Sequence, residues 1–207
     1  MTGRPPPDPV TRRLGLSDYA TVWREMQRFV ESRGPDTADE LWLLQHPSVY
    51  TLGLNCRMST PGSNAIPVVH SDRGGQITYH GPGQVIAYLL LDIRRRGTGV
   101  RHLVGLLEQA VINLLEGYGI EGHRRDKAPG VYVHGRKISA LGIRIRRGSS
   151  YHGLSLNVDM DLTPFENIDP CGYKGLEVTQ LRELGVADAI ETVQEKLARE
   201  LLALLAM

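Results

Sequence analysis

The chain has 207 residues, 41% of them hydrophobic and 23% charged, with a formal net charge of +1. That is enough for one substantial core or two small ones, at the composition of an ordinary globular protein. So balanced a charge gives no global field for nucleic acid or an anionic membrane, no apolar run reaches the length of a membrane span, and two distant cysteines make no disulfide framework and fit a reducing cytoplasm.

Met1 to Pro9 is rich in proline and has no apolar signal core. It reads as part of a flexible tail over residues 1–12, ahead of one domain over 13–207, and not as a secretion signal. Ser17 can cap a helix in which Tyr19, Val22, Trp23, Met26, Phe29 and Val30 recur at helical spacing, until Gly34-Pro35 ends it. Leu41 to Leu44 and Val49 to Leu52 read as strands broken at His46-Pro47, and Asn55 to Pro67 as an exposed loop. Pro67 to His70 is a short strand leading into a glycine-rich segment, and Val85 to Ile93 is a strongly apolar strand. Val100 to Tyr118 is the clearest helix, with Leu103, Leu106, Leu107, Ala110, Val111, Leu114 and Leu115 in one stripe. Val131 to Val133, a turn at His134-Gly135-Arg136 and Lys137 to Ile145 make a hairpin. Leu154 to Met160 is predicted as a strand and Ala189 to Leu205 as an amphipathic helix. The order predicts a single α+β domain with a mixed, largely antiparallel sheet and flanking helices.

Four segments carry more chemistry than a fold requires. Cys171 sits in Asp169-Pro170-Cys171-Gly172-Tyr173-Lys174-Gly175. Proline fixes the chain's approach and Gly172 brings an N–H near the sulfur, a geometry suited to a reachable nucleophile with a donor beside it. Most lone cysteines are small buried hydrophobes, and Cys56 gets that reading. In Arg73-Gly74-Gly75-Gln76-Ile77-Thr78-Tyr79-His80-Gly81-Pro82-Gly83-Gln84, polar groups alternate with glycines. This is a tight loop or a substrate-contact loop; no Gly-Lys-Ser/Thr makes it a phosphate loop and no helix opens behind it. In Gly135-Arg136-Lys137-Ile138-Ser139-Ala140-Leu141-Gly142, Lys137 is either an exposed strand-end residue, the commoner case, or a partly desolvated base, and the small residues after it suit an acyl slot. In Tyr151-His152-Gly153-Leu154-Ser155, His152 is a structural histidine or a base for the cysteine. No histidine pair at zinc-ligand spacing and no Cys-x-x-Cys points to a metal. The basic runs at Arg94 to Arg96, Arg124-Arg125 and Arg144 to Arg147 are solvated faces or could meet an acidic protein partner.

The glycine-rich segment, the Gly135 to Gly142 segment and Asp169-Pro170-Cys171-Gly172 together resemble the lipoyl(octanoyl) transferase family, over the chain from the first helix to the C-terminus. The resemblance implies the fold of biotin and lipoate protein ligase catalytic domains. It implies transfer of an octanoyl (or lipoyl) group from acyl carrier protein to a lysine of lipoyl domains, in 2-oxoacid dehydrogenase E2 subunits and the glycine cleavage H protein. It implies chemistry through a cysteine thioester, without ATP or another cofactor. It places the nucleophile on Cys171, its activating lysine on Lys137, and acyl-binding residues on Arg73, Gly74, Gly75, Gln76, Ile77, Thr78, Tyr79 and His80, on Ala140, Leu141 and Gly142, and on Gly153, Leu154 and Ser155. The alternatives are an ATP-dependent lipoate or biotin ligase, a non-catalytic lipoyl-domain binding protein, and a cysteine hydrolase.

Overall fold

The computed structural model describes residues 7–56, 65–168 and 177–207. The segment carrying Cys171 lies outside them, as does most of the expected loop between Asn55 and Pro67. Their elements run β1 (Val10–Leu16), α1 (Tyr19–Ser32), β2 (Glu40–Gln45), β3 (Val49–Leu52), β4 (Val68–His70), β5 (Ile77–His80), β6 (Gln84–Leu90), α2 (Val100–Glu116), β7 (His123–Arg124), β8 (Gly130–Val133), β9 (Arg136–Arg146), β10 (Ser149–Asn157) and α3 (Ile190–Leu205). Single turns of 3-10 helix lie at Thr163–Asn167 and Leu181–Leu184.

A seven-stranded sheet has the order β1-β2-β6-β10-β9-β8-β7, and a smaller one the order β4-β3-β5. The large sheet is antiparallel except where β1 joins β2, and the small one is parallel only between β3 and β4. This is the α+β domain with a mixed, largely antiparallel sheet that the chain order implies. β2 and β6 read as unbroken apolar runs because both their faces are covered. On one face, α2 and α3 bury the leucine stripe of α2 against Leu43, Val85, Leu89, Leu154 and Leu156. On the other, α1 packs Val22, Met26 and Val30 on Trp42, Leu44, Ile86 and Tyr88. The small sheet closes a third core of Tyr50, Leu52, Ile77, Tyr79 and Phe165. Among the described residues, no helix is long and apolar enough to cross a membrane.

Four boundaries differ from the sequence expectation. β1 takes in Val10 to Arg12, which composition leaves in the tail; it is an edge strand, mostly exposed, so its residues show no alternation. Asp18, not Ser17, caps α1 by accepting from Thr21 N at 2.8 Å, while the Ser17 hydroxyl donates to the Leu14 carbonyl at 2.7 Å. β10 begins at Ser149 and not at Leu154. Arg147 and Gly148, at φ 53° and 84°, form a two-residue turn that pairs Arg146 with Ser149, and the basic run hides it. A third of the glycine-rich segment, Ile77 to His80, is strand β5, which pairs with β3. The hairpin between β8 and β9 forms where expected, with His134 and Gly135 at φ 49° and 79°.

The arginine runs are largely used inside the molecule. Asp39, 1% exposed at its side chain, holds Arg33, Arg95 and Arg96 at 2.6–2.8 Å. Arg124 pairs with Glu108 and Arg146 with Glu31. Removing one partner of such a buried group strands the other, so Arg95 and Arg96 belong to the fold and not to a docking face.

Candidate active site

A cavity opens where β9 and β10 lie against the loop before β5. Its floor is strand backbone and small side chains: Gly153 pairs with Gly142, Leu154 with Leu141, and Ser155 with Ala140. Its roof is Arg73, Gly75, Gln76, Ile77, Thr78 and His80. Phe165 and Val178 complete an apolar wall, and Lys137 and Asn157 lie toward one end of the strand pair. Most of the expected acyl-binding residues therefore line one slot. Gly74 and Tyr79 do not. The Tyr79 ring packs on Tyr50 and Phe165, and its hydroxyl bonds Ser48 at 3.0 Å. Gly74 docks the roof instead, its N–H donating to the Ile143 carbonyl at 3.1 Å.

The roof is held by Arg73, 7% exposed, whose guanidinium donates to the Thr51 carbonyl at 2.6 Å, the Thr51 hydroxyl, and the Gly74 carbonyl at 2.9 Å. Leu54 N and Asn55 N donate to the carbonyls of Arg73 and Gly75. Neither glycine of the floor is small for the slot alone: Gly142 makes room for this docking, and Gly153 for the neighbouring strand β6. A Cβ on Gly142 would sit 2.9 Å from the Gly74 carbonyl oxygen and 3.2 Å from Arg73 Cδ, and one on Gly153 would sit 2.1 Å from the Ala87 carbonyl oxygen. We therefore expect Gly142→Ala to lift the roof loop, lower stability by about 1–3 kcal/mol, and raise KM alike for acyl donors of long and short chain. Kinetics with both donors check this. A selective loss of the longer chain would return Gly142 to the slot itself.

Lys137 is 3% exposed and donates from Nζ to the Pro129 carbonyl at 2.9 Å. Its head lies 5.4 Å from the Tyr132 ring centroid. It is not the exposed strand-end lysine that its position suggests. Its backbone is bonded as well: Lys137 N donates to the Glu177 carbonyl at 2.8 Å, and Thr179 N donates to the Lys137 carbonyl at 2.9 Å. The first residues after the cysteine-bearing segment thus run as a parallel bridge along Lys137. Ile168, on the other side of that segment, is buried among the small-sheet core.

Behind the roof lies a buried histidine and tyrosine cluster. His152 has a left-handed φ of 61°, which turns its ring from the α2 and α3 core to the face of Tyr151, whose ring it meets at 5.0 Å. Its Nε2 faces Asp72 Oδ1 at 3.1 Å. Asp72 also accepts from the Tyr151 hydroxyl, from Trp23 Nε1 at 2.8 Å and from Gln27 at 3.3 Å. Burial pushes the Asp72 carboxyl up, but the bonds from His152, Tyr151 and Trp23 outweigh it and hold the group well below the usual carboxylate range. Burial, then the bond to Asp72, drives the Tyr151 phenol up to about 12. His46 donates from Nδ1 to the Ser17 carbonyl at 2.6 Å and accepts from Tyr88 at 2.8 Å, and burial brings it down to about 4. His80 bonds Gln84 Oε1 at 2.8 Å, Gln84 bonds Asn157 at 2.9 Å, and Asn157 reaches the Thr179 carbonyl at 2.9 Å. Burial holds His80 and His152 below the ordinary histidine value, so all three imidazoles are neutral at pH 7.

Sequence reasoning missed Asp72, Tyr88, Asn157, Phe165 and Val178. Asp72 adjoins Arg73, yet nothing in Ser71-Asp72-Arg73 shows that an aspartate will collect four donors from α1 and β10.

Residues 18–202 match the family model of the lipoyl protein ligase A/B catalytic domain. Octanoyltransferases are similar along nearly the whole chain. One from Azoarcus sp. (strain BH72) is 58% identical over 95% of this chain and 87% of its own length. One from Alkalilimnicola ehrlichii is 56% identical over 93% and 92%. Among solved structures, a lipoate-protein ligase A bound with ATP covers 96% of this chain and 85% of its own at a TM-score of 0.77. The biotin protein ligase from Aquifex aeolicus with biotin and ATP covers 95% and 70% at 0.57. Each is 15% identical and shares the fold. The chain, with its slot between β9, β10 and a docked glycine-rich roof, belongs to the octanoyltransferase family of acyltransferases, within the lipoyl protein ligase A/B catalytic-domain fold.

Proposed function

We propose that the enzyme moves an octanoyl or lipoyl group from the phosphopantetheine thiol of acyl carrier protein to a lysine of lipoyl domains, through a thioester on Cys171. The observation that carries the reading is the buried Lys137 beside an apolar slot, with the chain that follows Cys171 bonded to its own backbone. Cys171 as thiolate attacks the donor's carbonyl carbon, the bond from that carbon to the phosphopantetheine sulfur breaks, and Lys137 gives the departing sulfur a proton. The acceptor amine then attacks the Cys171 thioester. A C–N bond forms, the C–S bond breaks, Lys137 takes the amine's proton, and Cys171 returns as thiolate. Thioester exchange is near balance and amide formation from a thioester is downhill, so no nucleotide enters. A free thiol of this kind suits a reducing compartment, and the reading therefore assigns the reaction to the cytoplasm.

Incubation with octanoyl carrier protein, without nucleotide, should raise the intact mass by one octanoyl group, removable by hydroxylamine. Adding a lipoyl domain should discharge it onto that domain. An adduct that persists in Cys171→Ala, or transfer that demands ATP, overturns the reading.

A further inference from the structure

Lys137 is held by the short turn Ala128-Pro129-Gly130, and that turn is itself held. The Pro129 carbonyl accepts Lys137 Nζ at 2.9 Å. Gly130 has a φ of 141°, and a Cβ there would lie 2.4 Å from Lys137 Cε, so the lysine stem crosses the space that a side chain would fill. Gly130 N donates to Glu108 Oε1 at 3.0 Å. Glu108 lies in α2, 7% exposed, in a helix otherwise buried through leucines. The Tyr132 hydroxyl ties the same turn from the other side, donating to the Ala128 carbonyl at 3.0 Å, while its ring faces Lys137 Nζ. A buried carboxylate at the edge of the apolar stripe of α2 is expensive unless it has partners. Its partners are this backbone N–H and, through Oε2, Arg124 at 3.1 Å.

We propose that Glu108 is a positioning residue: through the Gly130 N–H it fixes the Ala128-Pro129-Gly130 turn as a cradle for the Lys137 ammonium head. Tyr132 is the cradle's second fastening. The inference rests on the role given to Lys137 above. A carbonyl oxygen and a ring face are both electron-rich, so a shifted turn moves the proton-transfer group without touching the acyl slot. Displacements of about 1 Å in such a group can slow a reaction by roughly 100-fold.

The test is steady-state kinetics of the full chain with octanoyl carrier protein and a lipoyl domain. Glu108→Ala should lower kcat by roughly 10- to 100-fold with KM for the donor little changed. Glu108→Gln should restore most of it, because the amide oxygen can accept from Gly130 N. In a Lys137→Met background, Glu108→Ala should slow the residual transfer no further, the signature of two residues acting as one unit. Should Glu108→Ala fail to fold, Tyr132→Phe keeps the ring, loses only the bond to Ala128, and should show a smaller kcat loss with the same dependence on Lys137. Equal losses with and without Lys137, or a parental rate in the folded Glu108→Ala and Tyr132→Phe enzymes, overturn the cradle while Lys137 keeps its role. A Lys137→Met enzyme at the parental rate overturns both.

Discussion

Lys137→Ala should fold and should transfer octanoyl groups at least about 10³-fold more slowly than the parent, because both proton transfers of the proposed mechanism lose their agent. The stem is buried, so a modest fall in melting temperature accompanies the change, but the β8 and β9 pairing and the bridge to residues 177–179 use only backbone atoms at this position. The two half-reactions should both suffer. Single-turnover acylation of Cys171 slows because the phosphopantetheine sulfur departs without a proton, and discharge to the lipoyl domain slows because the amine keeps its own. An alanine variant that acylates and discharges at parental rates would remove Lys137 from the chemistry. His80 would then stand next, since it lines the slot; it is neutral and bonded to Gln84.

Acid should unfold this enzyme early. An unfolded histidine takes up its proton near pH 6.5, while the folded His46 does so only at about 4, and His80 and His152 are likewise lowered. Between those values the unfolded chain binds protons that the folded chain does not. Stability is therefore fully present above about pH 6.5 and falls as pH drops. Between those values His46 alone removes about 1.4 kcal/mol per pH unit, and His80 and His152 add losses of the same sign. A typical domain has about 5–15 kcal/mol in all. Denaturant melts at pH 7, 6 and 5 should show a drop that steepens below about pH 6.5 as the unfolded chain takes up protons that the folded chain refuses. Asp72, held low, adds its own loss only below the ordinary carboxylate range. A flat stability between pH 7 and 5 would mean that the cluster is hydrated and charged.

The elements were legible wherever a single period governed them. The stripe of α2, the apolar β6 and the hairpin turn at His134-Gly135 follow directly from residue spacing. β1 was not legible, because an exposed edge strand has no buried face to impose alternation. The start of β10 was not, because arginine and glycine make its turn inside what reads as a basic run. The site followed the same logic. Glycines and polar residues compressed into Arg73 to His80 mark a roof, but the docking partner of Gly142 is set by a fold-wide contact with Gly74. The Gly130 and Glu108 contact joins a turn to a helix 22 residues earlier and leaves no local trace.

The seam along Lys137 has a kinetic consequence. Its backbone N–H and carbonyl, with Asn157 behind, hold residues 177–179 by three hydrogen bonds, and Val178 is only partly buried against the small-sheet core. Such a seam can open in a local fluctuation far smaller than global unfolding. Opening it would release the anchor that follows Cys171 while leaving the helices and the large sheet in place. Warming should therefore silence the enzyme reversibly several degrees before its cooperative melt. Amide exchange at Lys137 and Thr179 should outpace that of the neighbouring β10.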